Sequence, residues 1–160
     1  MKTTLNLIRA CSPCASGWSK LLAHLGKTAP DDEPLSLVTI LDSNGLDDAL
    51  WSLRAVEGLD REKRLYAVWC ARQVEYLLTD QRSRDALDVA ERYARGRATR
   101  EELDAAAAAA AAAAYAAACV ARVARVARVA RVARVAQSAE FRRVCACIDA
   151  GRDPYPEANV

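Results

Sequence analysis

The sequence predicts an all-α protein in which a bundle of short helices is followed by a long alanine-rich helix. Only 6 Gly and 5 Pro occur in 160 residues, and no stretch alternates apolar and polar residues as a half-buried strand does. Residues that start helices, namely Asp, Ser and Thr, recur at short intervals together with glycines that stop them. These observations disfavour β and α/β folds and indicate a helical chain long enough to bury a core.

Two helices are predicted before residue 45. Residues 16–25 place Trp18, Leu21, Leu22 and Leu25 on one face and end at Gly26, a residue that suits a helix C-terminus. A second helix is expected to begin near Asp32, to direct Leu35, Val38 and Leu41 toward the core, and to stop at Asn44 and Gly45.

Three further helices complete a bundle predicted for residues 1–99. The first of these helices is expected to have Asp47 as its N-cap residue and to end at Gly58. The second helix is expected to begin at Asp60. The second has a broad apolar face, which indicates a central position in the bundle. The third ends at Gly96.

A long helix is predicted from residue 100 to residue 150. The run Thr99-Arg100-Glu101-Glu102 is a capping box, and no Gly or Pro follows it before Gly151. At about 1.5 Å per residue such a helix would span about 75 Å, whereas a globule of about 100 residues measures about 34 Å across. The helix is therefore expected to project or to break near Gln137-Ser138. After a break, an apolar stripe of four residues would dock back, namely Phe141, Val144, Cys145 and Ile148. Residues 151–160 would form a flexible tail.

Charge is distributed unevenly along the chain. Residues 105–136 contain five Arg and no acid, whereas residues 27–60 contain eight acids and two basic residues. An acidic segment attracts a basic partner and speeds its association. The candidate partner-binding residues are Asp31, Asp32, Glu33, Asp47 and Asp48, and the alternative interpretation is that they simply cap helices.

A three-residue repeat, Val-Ala-Arg, occupies residues 120–136. Three residues turn an α-helix by about 300°, so successive Arg side chains slip by about 60° and share no flat face. The pattern is typical of a solvated alanine-rich helix, and the alternatives are binding of a nucleic acid or an acidic partner and contact with a membrane surface. The candidate nucleic-acid-binding residues are Arg122, Arg125, Arg128, Arg131 and Arg134. The long helix also offers a surface for oligomerisation.

The sequence carries no pattern that identifies an enzyme, a metal site or a cofactor. Cys11 and Cys14 have CxxC spacing, but a structural zinc site needs four ligands, and Cys145 and Cys147 would point about 200° apart on a helix. His24 is the only histidine, and no glycine-rich phosphate loop or paired-carboxylate signature appears. Without a secretory signal or a strongly apolar span of about 20 residues, a cytoplasmic location with reduced thiols is expected.

Two parts of the chain resemble known groups of sequences. The run from Gly17 to Leu78, which begins GWSKLLAHLGKTAPDDEPLSLVTILDSNGLDDALW, is similar to a group of uncharacterised proteins encoded by phages and prophages. The run DALDVAERYARGRATREELDAAAAAA is similar to bacterial sequences labelled as immunity proteins. The resemblance implies a small helical protein that binds and neutralises another protein, or a phage factor that acts on host machinery. It supplies no catalytic residues.

Residue patterns and resemblance together favour a non-enzymatic, protein-binding factor whose partner is a host or toxin protein. The alternative is a nucleic-acid-binding protein that uses the arginines of the repeat. Against that alternative, no aromatic residues interleave with the arginines to stack on bases.

Overall fold

The structure is a computed structural model that describes residues 1–118 and 126–156, with side chains for residues 1–112 and 134–156. The described residues are predominantly helical, as predicted. They form eight α-helices, and two short 3-10 turns follow α4 and α5 at Ser52–Ala55 and Glu75–Leu77. The helices are α1 Leu5–Ala10, α2 Ala15–Leu25, α3 Leu37–Asn44, α4 Leu46–Trp51, α5 Asp60–Arg72, α6 Gln81–Ala94, α7 Arg100–Ala118 and α8 Val126–Asp149.

The chain divides into two units. Unit 1 comprises Met1–Leu59 and Ser138–Val160, and unit 2 comprises Asp60–Gln137. Helix α8 therefore contributes its first residues to unit 2 and its last residues to unit 1.

The core of unit 1 is built from α1 to α4 and the end of α8. Most of the strongly buried apolar residues that the structure describes lie in this unit. Helix α3 packs against α2 and α4, and α1 packs against the 3-10 turn at Ser52–Ala55. The fully buried side chains include Leu5, Leu37, Ile40, Phe141, Val144 and Cys145.

The helix that the sequence places from Asp32 begins five residues later than predicted. Leu35 and Ser36 form a short strand, β2, which pairs antiparallel with β1, Lys2–Thr3. Helix α3 starts after Ser36, whose hydroxyl accepts a hydrogen bond from the Val38 amide at 3.2 Å. Backbone pairing with a segment distant in sequence therefore overrides the local helix-start signal, and the β-pair was not predicted.

The N-terminus of α4 also differs from the prediction, because Gly45 rather than Asp47 is its cap residue. Asp47 lies within the first turn, where a carboxylate still stabilises the positive end of the helix. Gly45 ends α3 and starts α4 with φ 96° and ψ 179°, a conformation that is essentially restricted to glycine.

Gly45→Ala is expected to lower the free energy of unfolding by about 1–3 kcal/mol, the cost of a strained backbone conformation. Nothing lies within 4 Å of a Cβ built on Gly45, so the cost would come from the backbone and not from a clash. Urea unfolding measures it. Gly26→Ala is the control, because Gly26 has φ 64° and ψ 26°, a region that other L-residues can enter. A smaller effect at Gly45 than at Gly26 would contradict the prediction.

Unit 2 contains α5, α6 and α7, with α6 packed against both of the others. The predicted start at Asp60 is confirmed. An arginine links α5 to α6, because the Arg72 guanidinium binds Asp88 and also donates to Glu75 at 2.8 Å. At the α7 N-terminus the capping box is confirmed: the Glu102 amide donates to Thr99 Oγ1 at 3.2 Å and the Thr99 amide donates to Glu102 Oε2 at 2.7 Å.

The predicted break at Gln137-Ser138 is wrong, because α8 continues through both residues. Neither residue prevents helix formation as Gly or Pro would, and the Gln137 carbonyl accepts a hydrogen bond from Tyr66 Oη at 2.9 Å. Whether one helix runs from residue 100 to residue 150 depends on residues 119–125, which lie outside the described part of the chain.

The apolar stripe at the end of α8 is buried, as predicted. Phe141, Val144 and Cys145 are at most 1% exposed, and Ile148 is half-buried. Burial raises the pKa of the Cys145 thiol to about 11, so this thiol is protonated and unreactive at neutral pH. After the helix, the carbonyl of the buried Pro154 accepts a hydrogen bond from Arg143 at 2.9 Å.

Candidate functional site

The first group of predicted acidic residues is organised around one lysine. Lys27 Nζ lies 2.6 Å from a carboxylate oxygen of Asp31 and 2.6 Å from one of Glu33. The ammonium group holds the pKa of Asp31 below its usual value, and the two carboxylates raise the pKa of Lys27. Asp32 lies between the two acids and is exposed. Part of the negative charge predicted to face a partner is therefore compensated within the chain.

The second group, Asp47 and Asp48, lies in the first turn of α4. Asp47 is exposed, whereas Asp48 is half-buried and lines a pocket. The two adjacent carboxylates thus have different surroundings, which their sequence positions do not reveal.

This pocket, called here the tryptophan pocket, lies within unit 1 and has a volume of about 130 Å³. Helices α1 to α4, the segment between α1 and α2 and the 3-10 turn after α4 supply its wall, which is mainly apolar. The lining residues are Ile8, Pro13, Cys14, Gly17, Trp18, Leu21, Ile40, Asn44, Asp48, Trp51 and Ser52.

Asp48 is held in this wall by hydrogen bonds through Asn44. Asn44 Nδ2 donates to Asp48 Oδ2 at 2.7 Å and to the Gly17 carbonyl at 2.8 Å, while Asn44 Oδ1 is within 2.7 Å of the Ser43 hydroxyl. Among the residues that the structure describes, no Lys, Arg or His side chain forms an ion pair with Asp48. Asp48 therefore brings to the pocket a carboxylate that has no counter-ion within the described part of the chain.

Gly17 permits this arrangement because it has no side chain. A Cβ at this position would lie 2.7 Å from Asp48 Oδ2 and 3.1 Å from the Cys14 thiol, closer than unbonded atoms normally approach. A glycine inside a helix reduces helix stability, and Gly17 is the third residue of α2. A glycine at this position of a helix is a local signal in the sequence that another part of the chain approaches the helix closely.

Two indole rings contribute to the wall, and each has an arginine near it. The Arg9 guanidinium lies 5.5 Å from the Trp18 ring centre, and that of Arg54 lies 4.6 Å from the Trp51 ring centre. Both distances are typical of cation–π contacts. Neither arginine is among the residues that line the pocket, and both are exposed.

Cys14 is the N-cap residue of α2. Its thiol accepts a hydrogen bond from the Gly17 amide at 3.4 Å, while Cys11 is half-buried at the end of α1. Within the described part of the chain, no group of three or more His, Cys, Asp and Glu residues is arranged to hold a metal ion.

The predicted nucleic-acid-binding residues are largely outside the described side chains. This holds for Arg122, Arg125, Arg128 and Arg131, whereas Arg134 is described and exposed. Among the described helices, none has both the length and the apolar character needed to cross a bilayer.

The two units differ in formal charge. Unit 1 contains eight Lys and Arg against eleven Asp and Glu, whereas unit 2 contains fifteen against ten. The five repeat arginines account for the whole excess in unit 2. The tryptophan pocket therefore belongs to the acidic unit.

The sequence identifies Asp48 as a candidate but not the residues that surround it. It predicts Trp18 on a helix face and Asn44 at a helix end. Comparison of the chain with protein-family models, with curated proteins and with solved structures gives no match.

Proposed function

We propose that this chain is a cytoplasmic, non-enzymatic protein-binding factor of the phage-inhibitor or immunity type, acting on a host or toxin protein. The observation that carries the proposal is the tryptophan pocket. Sites for cofactors and substrates usually enclose about 300–1,000 Å³, whereas this pocket measures about 130 Å³. A cavity of about 150 Å³ holds one benzene ring, so the pocket suits a single side chain presented by another protein.

The chemistry of the wall is also that of a protein interface. Binding energy at such interfaces concentrates in a few residues that fill pockets, and Trp and Arg are enriched among them. Trp18 and Trp51 are half-buried and are accompanied by Arg9 and Arg54. Asp47 is exposed beside the pocket residue Asp48. These residues form the centre of the proposed contact surface, with Asp31, Asp32 and Glu33 as its further acidic members.

Reversing the charge of Asp47 and Asp48 to Lys is expected to abolish capture of the partner. The tagged chain serves as bait in a bacterial lysate, captured proteins are identified by mass spectrometry, and binding of the purified partner is then measured by calorimetry. We expect at least a tenfold loss of affinity, because two attractive charges become repulsive at the centre of the contact.

The matched control reverses two exposed acids of unit 2, Asp85 and Asp104, to Lys. It changes the net charge by the same amount, and exposed ion pairs such as that of Asp104 with Arg100 contribute little to stability. Circular dichroism verifies that both variants are folded. Unchanged capture by the Asp47/Asp48 variant, or equal loss in the control, would contradict the proposed surface, and capture of no protein would contradict the proposed function.

A further inference from the structure

The tryptophan pocket points to a specific kind of guest. We infer that it receives an arginine side chain from the partner, with the aliphatic part against the apolar wall and the guanidinium group on Asp48. The identity of the guest as part of a protein depends on the proposed function, but the chemistry of the pocket can be tested without any partner.

An apolar side chain would fit the walls but not the carboxylate. Asp48 is half-buried and has no cationic partner among the described residues. Filling the pocket with a purely apolar group would remove water from this carboxylate and supply neither a hydrogen bond nor a charge in return, which is unfavourable. The presence of Asp48 therefore selects against an apolar guest.

A basic side chain satisfies both parts of the pocket. A carboxylate accepts several hydrogen bonds, and Asp48 receives one from Asn44. Asn44 uses both hydrogens of its amide in the contacts with Asp48 and Gly17, so it fixes the carboxylate and leaves acceptor sites on it for a guest. The methylene groups of a basic side chain can meanwhile cover Ile8, Leu21 and Ile40.

Arginine fits better than lysine because of the two indole rings. A guanidinium group is planar, binds a carboxylate through two N–H groups and stacks on aromatic rings. The chain already shows this preference, since its own Arg9 and Arg54 lie over Trp18 and Trp51. Arg9 and Arg54 are exposed residues, so water and salt screen their repulsion of a guest, whereas Asp48 is half-buried and lines the pocket. The acidic excess of unit 1 further favours a cationic guest.

Nα-acetyl-L-arginine amide is the test molecule. The readout is the set of indole N–H signals in NMR spectra of the unsubstituted protein. The molecule is expected to shift the signals of Trp18 and Trp51 saturably at millimolar concentration, while that of Trp69, which lies in unit 2, serves as the internal control. Nα-acetyl-L-citrulline amide has nearly the same shape without the charge and is expected to bind at least tenfold more weakly. Ionic strength is held constant.

Substitutions test whether the carboxylate of Asp48 binds the guanidinium group. Asp48→Asn keeps the shape of the side chain and is expected to weaken binding of the arginine derivative at least tenfold. Glu57→Gln removes one charge at an exposed acid of unit 1 that does not line the pocket, and it is expected to leave binding within twofold. Gly17→Ala is expected to weaken binding as well, since the added methyl group displaces Asp48 Oδ2. The indole spectrum of each variant verifies that unit 1 is folded.

Three results would overturn the inference: no shift of Trp18 and Trp51 in the unsubstituted protein, equal binding of the citrulline derivative, or tighter binding of Nα-acetyl-L-leucine amide. The titration contains no partner protein, so its failure is distinct from a failure of capture. A chain that captures a protein through Asp47 and Asp48 but does not bind the arginine derivative would retain the proposed function and lose this inference.

Discussion

Phe141→Ala is expected to lower the free energy of unfolding of unit 1 by about 3–5 kcal/mol, the usual cost of removing a buried phenylalanine ring. Phe141 is 1% exposed, and its neighbours on the same face of α8, Val144 and Cys145, are 0% exposed. The substitution would leave a cavity where the last turns of α8 enter the core of unit 1. A loss of this size is comparable with a large part of the total stability of a small protein.

Urea unfolding followed by tryptophan fluorescence measures this loss. In a Trp69→Phe background the remaining tryptophans, Trp18 and Trp51, both report on unit 1. Leu7→Ala is the control, because Leu7 also lies in unit 1 but is 42% exposed, and a clearly smaller loss is expected. If Phe141→Ala cost less than about 1 kcal/mol, the end of α8 would not belong to the core of unit 1.

Leu37→Ala is the second substitution with a large expected effect, about 2–5 kcal/mol. Leu37 is the first residue of α3 and is 0% exposed. Its amide also donates a hydrogen bond to the Met1 carbonyl at 3.1 Å, next to the β1–β2 pair. The side chain is therefore fixed in the core at the point where strand pairing gives way to the helix.

Val38→Ala provides the comparison for Leu37→Ala, since the two residues are adjacent and Val38 is only half-buried. The same urea experiment in the Trp69→Phe background is expected to show a clearly smaller loss for Val38→Ala. The opposite ranking would favour the helix register predicted from the sequence, in which Leu35, Val38 and Leu41 face the core, over the register of the structure.

The difference in register has a physical cause. A helix that begins near Asp32 satisfies two local signals, a carboxylate at its start and a proline in its first turn. The hydrogen bonds between β1 and β2 involve residues more than 30 positions apart, and no local pattern encodes them. Once Leu35 and Ser36 are paired, the helix starts at Leu37, and its buried face becomes Leu37, Ile40 and Leu41.

The candidate site was predictable only in part. The acidic character of residues 27–60 and the candidate Asp48 follow from the sequence. The pairing of Asp31 and Glu33 with Lys27 and the position of Asp48 in a pocket do not. The pocket exists because Gly17 and Asn44, 27 residues apart, approach closely enough for a hydrogen bond of 2.8 Å.

The sequence by itself determined the features that depend on interactions within about four residues. Examples are the stop at Gly26, the start at Asp60, the capping box of Thr99 and Glu102, and the amphipathic stripe of α8. The tertiary structure alone decided where that stripe docks, which carboxylates are neutralised and which one lines the tryptophan pocket. The ion pair between Asp42 and Arg142 joins residues 100 positions apart. Such contacts form only when the folded core brings distant segments together, so local patterns carry no record of them.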